Sequence, residues 1–138
     1  MSTKALNILL VEDDELDVEN VRRAFKRANI DTPLWVAADG EEALRLLRSS
    51  EIPRKRRLVL LDLNLPKMSG IELLRELRSD PALRAQSVVV LTTSNEDRDR
   101  TEAYSLNVAG YLLKPIAFQK FVEVVSALYR YWSLVELH

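Results

Sequence analysis

The chain has 138 residues, 47% hydrophobic and 30% charged, with a net charge of −1. That length suits one domain with a sizeable core, and the balance excludes disorder, collagen-like repeats and a strongly basic nucleic-acid binder. Cysteine is absent and the only histidine is His138, so disulfides, thiolate zinc sites and cysteine nucleophiles are excluded and any metal must sit on oxygen ligands.

No run approaches the ~18 uninterrupted apolar residues of a membrane span. Residues 4–11 lead into Glu12, Asp13 and Asp14 instead of a cleavage site, so a cytoplasmic protein with no targeting segment and no membrane contact is expected.

A β-branched and Leu-rich run at 8–11 predicts the first buried strand, and Val18, Val21, Phe25 and Ala28 then recur at helical spacing. A second strand at 34–37 precedes a helix carrying Ala43, Leu44 and Leu47. Residues 49–57, with Pro53 and the basic run Arg54, Lys55, Arg56 and Arg57, read as a solvated surface loop. The third strand, at 58–61, is followed by Ile71, Leu74 and Leu77 on one helical face. A fourth strand at 88–91 precedes a poorly amphipathic helix within 97–106, and a fifth at 111–113 precedes a helix from about Ala117.

Cap-and-third-residue spacing marks four helix starts: Asp14 with Asp17, Asp39 with Glu42, Ser69 with Glu72, and Ser94 with Asp97. In the last helix, Phe118, Phe121, Val122, Val125, Leu128, Tyr129 and Trp132 can face the sheet. Val124, Tyr131, Trp132 and Val135 form a further apolar surface that predicts a homodimer through this helix and its extension. Strand and helix alternate five times, so an α/β, open doubly wound (βα)5 parallel sheet is expected. It forms a single domain over 1–138, with a core of about 6–128 and a C-terminal helix extension or tail at 129–138.

In open α/β sheets ligands bind beyond the carboxyl ends of the strands. Here those ends carry Glu12, Asp13 and Asp14, then Asp62, then Thr92, Thr93 and Ser94, then Lys114 and Pro115. Clustered carboxylates repel unless a hard divalent cation lies between them, and Mg2+, which takes one or two carboxylates, waters and a phosphate oxygen, fits best. Lys114 and Thr92 could engage a phosphoryl group's other oxygens, and Asp62 is the natural nucleophile for an acyl phosphate.

The segments ILLVEDD at 8–14, LLDLNLPKMSG at 60–70, VVVLTTS at 88–94 and GYLLKP at 110–115 together resemble the receiver domains of two-component response regulators. The resemblance covers nearly the whole chain and implies a flavodoxin-like sheet of order 2-1-3-4-5. It implies Asp62 as phosphoacceptor, Glu12 and Asp13 as the acidic pair, and a backbone carbonyl at Asn64 completing the Mg2+ shell. Thr92 is then the switch hydroxyl, Lys114 the phosphate-facing lysine, Tyr111 a position that the family uses as a rotamer switch, and Lys114-Pro115 a cis peptide. Glu12 and Asp13 are preferred over Asp13 and Asp14 as the pair because Asp14 is then free to cap the first helix.

With no output domain expected, LTTS after the fourth strand and the pair Tyr131-Trp132 in the tail, the chain is similar to the regulators paired with cyanobacterial and other bacterial phytochromes. The implied partner is a sensor histidine kinase of phytochrome type, with a non-phytochrome kinase as the alternative input. Two other classes remain open at this point. An aspartyl-phosphate phosphohydrolase of haloacid-dehalogenase type needs a second carboxylate where Asn64 stands, and a pseudo-receiver scaffold is usually marked by loss of the Asp or Lys retained here.

Overall fold

The computed structural model describes residues 6–135. Its elements are β1 (Asn7–Val11), α1 (Glu15–Arg27), β2 (Leu34–Ala37), α2 (Gly40–Arg48), β3 (Arg57–Leu61), α3 (Gly70–Ser79), β4 (Ser87–Thr92), α4 (Asp97–Ser105), β5 (Gly110–Leu113) and α5 (Phe118–Leu134). The five strands form one parallel sheet of order β2-β1-β3-β4-β5, as expected.

Period-two alternation sends the two halves of each central strand to opposite faces. Leu9, Val11, Val59, Leu61, Val88 and Val90 pack with α2 and α3, while Ile8, Leu10, Leu58, Leu60, Val89 and Leu91 pack with α1 and α5. Covered on both sides, these strands read as continuous apolar runs, the signature of a buried parallel sheet. Among the described residues no helix is long and apolar enough to cross a membrane.

Three of the four predicted caps form. Asp14 accepts from the Leu16 and Asp17 amides at 2.8 and 3.3 Å, Asp39 accepts from the Glu42 amide at 2.8 Å, and Ser69 with Glu72 closes a reciprocal capping box. The fourth does not form: α4 starts behind Glu96 with no side-chain cap, and the Ser94 hydroxyl instead donates to Asp99 Oδ2 at 2.5 Å. Ser94 is retained at the sheet rim, its amide donating to Thr92 Oγ1 at 3.3 Å, and the helix begins at Asp97, two residues later than a Ser94 cap would start it.

The basic loop reading holds for the exposed Arg54 and Lys55 and is corrected for Ile52, Arg56 and Arg57. Ile52 is fully buried, Arg57 opens β3, and both Arg56 and Arg57 are buried. Arg57 donates to Gln86 Oε1 and the Leu47 carbonyl, and burial, with the neighbouring charge of Arg54, lowers its guanidinium to about 10. Arg56, at φ 54°, donates to the carbonyls of Trp132 and Val135 and thereby caps the end of α5. Arginine stems are long enough to bury their carbons while the guanidinium finds carbonyls, which a charge-run reading overlooks.

The proposed second apolar surface on α5 shrinks accordingly. Trp132 is buried in the α1/α5 core, and Val124 and Val135 are half-buried against it. Tyr131 at 58% and Leu134 at 77% exposure are the large apolar side chains left outside. The helix continues unbroken through most of the expected tail, and Leu137 and His138 lie outside the described residues.

Candidate functional site

Adjacent parallel strands end level with one another, and this assembles the site. The Asp62 amide donates to the Val11 carbonyl at 3.0 Å and the Lys114 amide to the Thr92 carbonyl at 2.8 Å, so the residues after β1, β3, β4 and β5 share one rim. Residues far apart in the chain thus meet because order 2-1-3-4-5 makes β3 the neighbour of both β1 and β4.

Asp62 is buried, and both carboxylate oxygens are engaged. Oδ1 accepts from the Thr92 hydroxyl at 2.7 Å and from the Asn64 amide at 3.0 Å, while Oδ2 accepts from Lys114 Nζ at 3.3 Å. Thr92 is fully buried, and its oxygen in turn accepts long bonds from the amides of Leu63 and Ser94. The cis peptide at Lys114-Pro115 is present. Gly70 permits the turn after Asp62: a Cβ there would lie 2.6 Å from both the Asp62 carbonyl oxygen and Leu63 Cα.

Glu12, Asp13 and Asp62 each bring a carboxylate oxygen within 4.8 Å of the others. Glu12 is buried, accepts from Lys114 Nζ at 2.7 Å through Oε1 and from the Asp14 amide at 3.1 Å through Oε2, whereas Asp13 is exposed at the edge. Burial pushes the Glu12 carboxyl up to about 7, only partly offset by its bond to Lys114. Burial alone would lower the Lys114 ammonium, but hydrogen bonds to Asp17 and Glu12 and the charge of Asp62 carry it above its ordinary value. Glu12, Asp13, Asp17 and Asp62 outnumber the one ammonium at this rim, and three convergent carboxylates suit a hard, oxygen-seeking divalent cation.

The fold brings together Glu12, Asp13, Asp62, Thr92 and Lys114 as the sequence predicts, with Asn64 exposed at the same edge. The Asn64 side-chain amide donates to Thr93 Oγ1 at 3.1 Å. Sequence reasoning missed Asp17, whose Oδ2 accepts from Lys114 Nζ at 2.8 Å, because its spacing from Asp14 reads equally well as a capping box. Tyr111 is half-buried, donates to the Ser94 carbonyl at 2.8 Å and lies under the Arg100 guanidinium, 5.4 Å from its ring centre. A cleft of about 190 Å3 opens beside Glu12, Asp17, Lys114 and Thr93.

An open 2-1-3-4-5 sheet with an acid-rich rim, a buried aspartate and a facing lysine defines a receiver architecture. The response regulator receiver domain family matches residues 8–126, and the chain belongs to that family. It is 42% identical over 130 residues to the probable methanogenesis regulatory protein FilR2 of Methanothrix harundinacea, covering 91% of this chain and 82% of that protein. It is 38% identical over 128 residues to the response regulator Rcp1 of Synechocystis sp., covering 91% and 87%.

Among solved structures, the phosphorylated cyanobacterial phytochrome response regulator RcpA superposes with a TM-score of 0.83 at 35% identity, covering 97% of this chain and 99% of that one. The Mn2+-bound form of response regulator Rcp1 superposes with a TM-score of 0.79 at 38% identity, covering 95% and 97%. The chain is thus a receiver-domain signalling protein with phytochrome-associated relatives.

Proposed function

We propose that this receiver takes a phosphoryl group from a sensor histidine kinase onto Asp62 in a Mg2+-dependent step and changes a protein-binding surface in response. The observation that carries this reading is the pair of partners on Asp62, with the Thr92 hydroxyl on one oxygen and the Lys114 ammonium on the other. An Asp62 carboxylate oxygen attacks the phosphorus, the P–N bond to the donor histidine breaks, and the nitrogen leaves with its electron pair. Asp62 gains an acyl phosphate carrying about two added negative charges. Lys114 and Thr92 stand ready to stabilise those charges, Lys114 by ion pairing and Thr92 by redirecting its hydroxyl from Asp62 to a phosphoryl oxygen.

Glu12, Asp13 and Asp62 would hold Mg2+ through carboxylate oxygens, with the Asn64 backbone carbonyl added on the family resemblance. When bound, the cation supplies charge neutralisation at the phosphoryl oxygens. The same rim disfavours the phosphohydrolase alternative, since Asn64 offers an amide where a second carboxylate is required. The retained Asp62 and Lys114 disfavour an unphosphorylated scaffold.

The input is read as a phytochrome-type kinase, supported by likeness to the phytochrome response regulator RcpA, and the setting as the cytoplasm. Likeness to FilR2 favours a second reading with a different kinase, and phosphotransfer profiling against purified kinases separates the two. A second copy of the chain is proposed to cover Tyr131 and Leu134, with Val124 and Val135 at the margin and Trp132 withdrawn into the core. Tyr131→Glu should then sediment as a folded monomer, whereas a wild-type chain that is itself monomeric at high micromolar concentration removes the dimer. For the central reading, Asp62→Asn should abolish labelling by acetyl phosphate or kinase while retaining the wild-type circular dichroism. Labelling at the wild-type level in that variant overturns it.

A further inference from the structure

The geometry points to Asp17 as a positioning residue that holds the Lys114 ammonium on the α1 side of Asp62 and limits how much of its charge reaches a phosphoryl group. This rests on the reading of Asp62 as phosphoacceptor. A lysine ammonium has three donors, and all three are spoken for here: Glu12 at 2.7 Å, Asp17 at 2.8 Å and Asp62 at 3.3 Å. Charge-assisted N–H···O bonds cluster at ~2.7–2.9 Å, so the ammonium sits nearer Glu12 and Asp17 than the aspartate it serves.

A phosphoryl group on Asp62 takes up one carboxylate oxygen and replaces the longest, 3.3 Å contact with oxygens of its own, so to reach them the ammonium must move away from the α1 side and loosen one of its two shorter bonds. Glu12 is the poorer candidate for release, being buried, with the Asp14 amide already on its other oxygen. The Asp17 side chain is 34% exposed and can exchange the ammonium for water. Asp17 therefore competes with the phosphoryl group for Lys114, and its removal frees the ammonium to move toward Asp62. A first-turn acid that served only the dipole of α1 would affect stability and leave the phosphoryl site unchanged.

Fluoroberyllate with Mg2+, a ground-state mimic of the phosphoryl group, tests this on the full chain. Its affinity should rise about three- to tenfold in Asp17→Asn, the equivalent of gaining part of one charged hydrogen bond. In a Lys114→Met background the same substitution should leave affinity unchanged within about twofold, giving a non-additive double-mutant cycle. Equal effects in both backgrounds, or none in either, would overturn the assignment. Nuclear magnetic resonance of the Lys114 side-chain nitrogen in the metal-free protein gives a readout independent of phosphorylation: the signal should shift in Asp17→Asn, and an unchanged signal rejects the contact. Failure of the wild-type chain to bind fluoroberyllate or take label from acetyl phosphate would instead count against Asp62 as acceptor.

Discussion

Gly70→Ala sets a gain in helix propensity against a steric conflict, and the structure decides the sign. Gly70 is the first residue of α3, where alanine is favoured over glycine by up to about 1 kcal/mol. Its φ is not positive, so alanine meets no backbone penalty of its own. The added Cβ, however, would stand 2.6 Å from the Asp62 carbonyl oxygen, 2.6 Å from Leu63 Cα and 2.9 Å from Leu63 Cδ2, where ordinary contact begins near 3.4 Å.

Two of those atoms belong to the backbone and cannot turn aside. Overpacking of this kind costs about 1–3 kcal/mol, and the upper part of the range applies when backbone must move. The net expectation is a loss of about 1–2 kcal/mol, or roughly 3–8 °C in Tm for a chain of this size.

The displaced segment carries Asp62, so its 2.7 Å bond to Thr92 should loosen and labelling by acetyl phosphate should slow by about tenfold or more. Gly110→Ala is the control, since a Cβ there meets only Val89 Cγ1 at 3.9 Å, and stability should be unchanged or slightly improved. Urea denaturation and initial labelling rates on both variants provide the assay. A Gly70→Ala protein as stable as wild type and labelled at the same rate would refute the close-approach reasoning.

Three further expectations follow from the contacts around the site and the basic segment. Because burial raises Glu12 to about 7 in the metal-free protein, the folded state binds more protons than the unfolded state between about pH 4.5 and 7. Its contribution to stability therefore declines as pH rises through 7, and apparent Mg2+ affinity should fall by up to about tenfold per pH unit below 7, measurable by titration calorimetry. Asp14→Ala removes the cap on the Leu16 and Asp17 amides and should cost about 1 kcal/mol in denaturation with little loss of Mg2+ affinity, while Asp13→Ala should do the reverse. Arg56→Ala leaves the Trp132 and Val135 carbonyls without their guanidinium and should cost about 2–4 kcal/mol, with faster amide exchange in the last turn of α5.

Local physics determined much of this protein before any contact was known. Apolar runs flanked by Asp14, Asp39 and Ser69 specify strand and helix because side-chain period and cap chemistry act within a few residues. The charged and hydroxylated residues that end those runs, Glu12, Asp13, Asp62, Thr92 and Lys114, were legible for the same reason: each stands at or just beyond the carboxyl end of a strand.

What required the tertiary structure is whatever depends on who meets whom across the chain. Asp17 reads as a helix-start acid until the crossover sets it against an ammonium 97 residues away. Arg56 and Arg57 read as a solvated charge run, yet the fold supplies carbonyl partners on α5 and α2, and burial follows. Trp132 fits two faces of one helix by spacing alone, and only the packing of α5 against α1 assigns it to the core. Ser94 has the spacing of a cap but is held at the rim by Thr92 and Asp99, because a hydroxyl takes the partners that the folded chain brings within reach. Hydrophobic period and capping are short-range properties of a sequence, whereas the partner of a charge is fixed by topology.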